Sequence, residues 1–200
     1  MTNTLHIARR ELGAYFASPL AYLIIAGFLL ISGLFFYLNL TFTRSANLRG
    51  LYQTIYTILL FLAPMLSMRL LAEEQRSGTI ELLLTAPVRD YEIVLGKFLG
   101  VMGLLLVMLG LTLAYPLMVI LWGAPDRGVL IGSYLGGILF GGAALAIGLL
   151  ASSLTQNQIV AAVLTFAAFL VLWVADGVGS VLSGPAARIV SYLGLFNHFN

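Results

Sequence analysis

Between Glu11 and Arg44 the chain carries no Asp, Glu, Lys or Arg. A bilayer core about 30 Å thick takes roughly 20 helical residues at 1.5 Å each, so this one run is long enough to cross. It is too long for the apolar core of an ordinary signal peptide. Further apolar runs of crossing length follow, and with 60% hydrophobic and 9% charged residues the chain fits only an integral membrane protein. Its 200 residues form one polytopic domain, 1–200, without room for a separate soluble catalytic domain. A formal net charge of +2 spread among spans makes no basic face, which argues against nucleic acid as a partner. With no cysteine there is no disulfide framework, thiolate nucleophile or Cys-ligated metal.

The segment Thr4 to Phe16 sets Leu5, Ile7, Ala8, Leu12, Tyr15 and Phe16 among His6, Arg9, Arg10 and Glu11, close to the spacing of an amphipathic helix lying in the membrane interface. Ser18 then Pro19 supply an N-cap and a first helical residue. Five spans are expected: Leu20–Leu40, Leu51–Met68, Phe98–Trp122, Val129–Leu150 and Ile159–Ala175. Pro64 and Pro116 are kink positions. Trp122 and Trp173 fall at span ends, where indoles anchor. Beyond Asp176 the apolar stretch Ile189–Phe196 is too short to cross and is expected at the surface. Arg9, Arg10, Arg69, Arg76, Arg89 and Lys97 lie on one side against Arg44, Arg49, Arg127 and Arg188 on the other, which puts the N-terminus in the cytoplasm.

Half of the chain's 10 basic and 8 acidic residues lie in one polar island, Arg69 to Lys97. Arg69–Arg76 reads as a polar continuation of the second span, stopped by Gly78 in a left-handed turn. Thr79 can cap a short helix, Ile80–Thr85, with Glu81 in its first turn and Pro87 beyond its end. Asp90 is placed to cap the next helix. The short helix presents Leu82, Leu83 and Leu84, and two turns are not stable alone in water, so those leucines need a partner surface. That surface is the headgroup layer, the protein's own spans, or another protein. Glu73 and Glu74, adjacent on a helix, point about 100° apart and read as a solvated or salt-bridged face, with no catalytic pairing.

The run AEEQRSGTIELLLTAPVRDYEIVLGKF (72–98) resembles the signature of ABC-2 type transporter permeases. The stretches RRELGAYFASPLAY (9–22) and IGLLASSLTQNQIVA (147–161) look like the gliding-motility branch of those permeases. The resemblance implies a six-span fold of which five spans are visible here, an all-α polytopic bundle with an interfacial N-terminal helix over Leu5–Phe16. It also implies a coupling helix, falling on Thr79–Thr85, that inserts into a cytoplasmic ABC ATPase, with Glu73, Glu74 and Arg76 beside the contact. Two permeases, identical or related, would pair with two ATPases in the bacterial inner membrane, and an auxiliary periplasmic-facing membrane subunit is a further expected partner. ATP and Mg are expected on the ATPase. This chain has no Gly-rich phosphate loop ending in Lys-Ser or Lys-Thr, binds no cofactor of its own, and is not expected to be an enzyme.

The fourth span is glycine-dense, and Gly132/Gly136 and Gly137/Gly141 have the spacing that lets helix backbones approach, within the chain or between copies. His6 and His198 lack ligand-spaced companions. The spans Leu20–Leu40, Phe98–Trp122 and Val129–Leu150 offer no polar cluster for an intramembrane enzyme. The function that emerges is the permease subunit of an exporter. Its rival is a non-transporting membrane anchor or scaffold that uses the same island as a docking site.

Overall fold

A computed structural model describes residues 2–43, 49–79, 88–122 and 127–181. Among these, all regular structure is helical: α1 (Thr2–Ala17), α2 (Pro19–Thr43), α3 (Arg49–Ser67), α4 (Ala72–Ser77), α5 (Asp90–Thr112), α6 (Ala114–Trp122), α7 (Arg127–Ser153) and α8 (Gln158–Val181). Four stretches are long and apolar enough to cross a membrane, Pro19–Phe42, Gly50–Ser77, Asp90–Leu121 and Gly128–Ser153, and α8 supplies a fifth apolar helix. The chain is a multi-pass membrane protein built as an all-α bundle.

Helix α3 is the centre, packed against α2, α7 and α8, while α7 also packs on α5. Its buried stripe, Leu51, Ile55, Leu59 and Leu66, recurs with helical periodicity and meets Leu104, Leu105 and Met108 of α5 and Leu145 and Leu149 of α7 in one apolar core. Ser18 Oγ accepts from Leu20 N at 3.3 Å, so α2 begins at Pro19 as expected. Asn157 Oδ1 does the same for Ile159 N at 2.9 Å and opens α8.

The prolines act differently from one another. Helix α3 runs through Pro64 without a break in its helical assignment. The third span, by contrast, breaks at Leu113 between α5 and α6. Pro116 has no N–H to offer the Thr112 carbonyl one turn back, and its ring crowds that carbonyl, so the ladder cannot continue there.

Two expected boundaries move. The N-cap of α5 is Arg89 rather than Asp90, because Glu92 reaches back to accept from Arg89 N at 3.1 Å, leaving Asp90 as the first helical residue. Helix α8 continues past Asp176 to Val181, its glycines tolerated by a backbone that keeps its i→i−4 bonds.

The spans also hold hydroxyls that sequence reading passed over. Tyr115 Oη donates to Leu29 O at 2.8 Å, Tyr56 Oη donates to Ser133 O at 2.6 Å, and Thr112 Oγ1 lies 3.0 Å from Tyr134 Oη. The contacts seen among the described residues join hydroxyls to hydroxyls and carbonyls, which reads as interhelical hydrogen bonding.

Candidate functional site: an ion cluster at the root of the polar island

The island leaves the bundle through α4 and returns through α5. Gly78 ends α4 with φ 71°, the left-handed turn expected of it. Beyond it Thr79 is exposed, its Oγ1 lying 2.9 Å from Ser77 Oγ. Glu81, Leu82, Leu83, Leu84 and Pro87 lie outside the described residues. Glu73 and Arg76 are exposed, while the neighbouring Glu74 turns inward.

What Glu74 meets is Lys97, only 2% exposed. Its ammonium donates to Glu74 Oε1 at 2.8 Å and to Glu11 Oε1 at 3.1 Å. Arg10 Nη2 stands 3.5 Å from the same Glu11 oxygen and 3.9 Å from the same Glu74 oxygen. A lone ammonium at this depth would cost several kcal/mol of lost hydration, so its burial requires both carboxylates. Two cations and two anions from three elements, α1, α4 and α5, therefore share one site. Glu74 Oε2 is buried with no hydrogen-bond partner among the described residues.

The approach of α1 is made possible by glycine. A Cβ on Gly96 would lie 2.7 Å from Ile7 Cβ, and one on Gly100 would lie 2.6 Å from Glu11 Cβ and 3.2 Å from Ala8 O. The helices run in the same direction, Asn3 beside Glu92, Ile7 over Gly96 and Glu11 over Gly100, with Asn3 Nδ2 donating to Glu92 Oε2 at 3.3 Å. Gly96 and Gly100 are thus a small-xxx-small pair that straddles the end of the island. Of the four glycines expected at a helix seam, a Cβ on Gly137 would lie 3.2 Å from the Tyr56 ring and one on Gly141 would lie 2.5 Å from the Leu105 side chain, whereas Gly132 looks onto open space and Gly136 is half-buried.

Two further contacts close the site. Between α3 and α4 the chain makes a turn at 68–71, so the expected continuous helix Arg69–Arg76 is interrupted. Ser152, at the end of α7, fills the gap: its Oγ accepts from Leu71 N and Ala72 N, both at 3.0 Å, and donates to Met68 O at 3.0 Å. One side chain from another span thereby caps α4 and joins it to α3. Beside it Gln75 Nε2 donates to Ser153 O at 3.0 Å. From α1, Tyr15 Oη donates to Leu66 O at 2.7 Å, and the Arg69 guanidinium sits 4.3 Å above the Tyr15 ring. Burial pushes the Tyr15 phenol up to about 12, against the opposing pull of the Arg69 charge.

Chemically the site is a clamp with no nucleophile–base pair, and no group of three His, Cys, Asp or Glu that could hold a metal occurs among the described residues. Sequence reading missed Lys97, Glu11, Tyr15 and Ser152 as partners. The spacing Gly96-Lys97-xx-Gly100 was the one local signal that a helix would pack there.

Residues 38–199 match the family described as ABC-2 family transporter protein. No curated protein matches the chain.

Proposed function

The chain belongs to the ABC-2 transporter family, and from that premise we propose that it is the permease subunit of an exporter whose ATP hydrolysis takes place on a separate ABC ATPase. It works as a pair with a second copy or a related permease, in the bacterial inner membrane with its N-terminus in the cytoplasm. The segment Thr79–Thr85 is the coupling helix, and Leu82, Leu83 and Leu84 fill the ATPase cleft, flanked by Glu73, Arg76 and Glu81. ATP and Mg reside on the ATPase. We assign the chain to the gliding-motility branch on the stretches 9–22 and 147–161.

The observation that carries this reading is the convergence of Glu11 and Glu74 on Lys97. A knob held only by two flexible strands could be displaced without moving the spans. Here the outgoing limb at Glu74 and the returning helix at Lys97 are tied to each other and to α1, and Ser152 ties the outgoing limb to α7. Force applied at residues 79–85 then reaches α3, α5 and α7 together.

Co-expression with candidate ABC ATPases from the same genome, followed by purification through the permease, tests the reading. The intact chain brings the ATPase with it and raises its hydrolysis rate. Leu83→Asp, or Glu73→Lys, releases the ATPase while leaving the permease folded; Glu74 is avoided because it also holds Lys97. If the intact chain brings down no ATPase, the proposal fails and the scaffold reading replaces it.

A further inference from the structure

Helix α1 has a second, exposed face, of which only Arg10 also reaches the clamp. With Ile7, Ala8, Glu11, Leu12 and Tyr15 turned to the bundle, His6, Arg9 and Arg10 remain on the outside, followed by Gly13, Ala14 and Ala17 at helical spacing along the same side. Arg9 is exposed and has no ion partner among the described residues, and the Arg10 side chain is 60% exposed. At Gly13 a Cβ would meet nothing within 4 Å. The surface is therefore a cationic rim that opens onto a bare backbone floor. After the single residue Ser18 the chain enters α2, whose first turns expose Leu20, Tyr22 and Leu23, the last by 70%.

From this order of charge, open floor and exposed apolar side chains we infer that α1 binds an anionic phospholipid, with its phosphate on Arg9 and Arg10 and its acyl chains over Gly13, Ala17 and the start of α2. The polarity of the surface matches that of the molecule. Guanidinium groups bind phosphate oxygens through paired, charge-assisted hydrogen bonds, and small residues beyond them let chains lie against the helix. A zwitterionic headgroup adds a cation to the same place and loses most of that attraction. The inference concerns the exposed face of α1, which shares only Arg10 with the Lys97 clamp, and holds whether or not residues 79–85 engage an ATPase.

Native mass spectrometry of the full chain, released from micelles holding equal amounts of phosphatidylglycerol and phosphatidylcholine, tests it. Wild type retains phosphatidylglycerol preferentially, and the preference weakens as salt rises. Arg9→Gln lowers retention about fivefold, the value of one basic residue at an anionic surface. Gly13→Leu, which fills the floor without touching charge, lowers retention of both lipids. Equal retention of the two lipids by wild type overturns the inference, as does an Arg9→Gln variant that retains phosphatidylglycerol undiminished. Displacement of the lipid by millimolar inorganic phosphate also overturns it, by showing a site for soluble anions.

Discussion

Replacing Lys97 by Met keeps the length and volume of the side chain and removes only its charge, which isolates what the ion cluster contributes. Removing one member of a buried ion pair costs about 3–5 kcal/mol, because the partner left behind keeps its desolvation without its counter-charge. Two features pull the figure down here. The Glu11 and Glu74 side chains are each 16% exposed rather than dry. Arg10 already stands 3.5 Å and 3.9 Å from their oxygens and can close in. About 3 kcal/mol is then expected, roughly a 150-fold change in the folded-to-unfolded ratio. The assay is SDS titration of the purified chain in mixed micelles, read by circular dichroism. The triple variant Glu11→Gln, Glu74→Gln, Lys97→Met carries no buried charge at this point. It should recover to within about 1 kcal/mol of wild type, since neutral replacements of buried ion pairs are commonly tolerated. The sum of the single losses exceeds the triple loss because the three side chains share one interaction. A Lys97→Met variant as stable as wild type refutes the reasoning. So does a triple variant that loses the sum of the singles.

Ser152→Ala leaves Leu71 N, Ala72 N and Met68 O without their shared partner. It should cost about 2–3 kcal/mol in the same titration and speed hydrogen exchange at the two amides selectively. For Tyr15 the folded value of about 12 lies above the ordinary 10, so folding favours the neutral phenol. That contribution is complete below about pH 10 and is lost as pH rises from 10 to 12, by an amount on the order of 2 kcal/mol. Tyr15→Phe should flatten this part of the stability profile, and a profile identical to wild type would count against a buried, neutral Tyr15.

Much of the architecture was legible because the physics that sets it is local. Run length and absence of charge mark Leu20–Leu40 as a span without reference to any neighbour. Ser18, Gly78 and Pro116 act on their own backbones, and each is found doing what its chemistry predicts. Reading failed where the partner comes from far along the chain. Lys97 looks like the last charge of a solvated island until Glu11 arrives from 86 residues away. Ser152 looks like a turn residue, yet it caps a helix 80 residues upstream. The Asp90 cap was misplaced for a smaller reason: two acidic residues lie within one turn, and Glu92 is the one whose length reaches back to Arg89 N. For residues 80–87 sequence remains the whole basis of the reading.

The three stretches that carry the family resemblance, 9–22, 72–98 and 147–161, are far apart in sequence, and the ion cluster with its serine cap brings them together: Arg10, Glu11 and Tyr15 from the first, Glu74 and Lys97 from the second, Ser152 from the third. The family match itself begins at residue 38, so α1 lies outside it. Yet α1 supplies one of the two carboxylates on Lys97 and covers Gly96 and Gly100. A bundle without that helix would expose a buried ammonium together with the bare glycine groove of α5. Both are unstable at a membrane boundary, the first through half-satisfied charge and the second through lost packing. Helix α1 is therefore better understood as one wall of the clamp than as an appendage leading to the first span. Any displacement of α4 relative to α5 has to move α1 or break its ion pair.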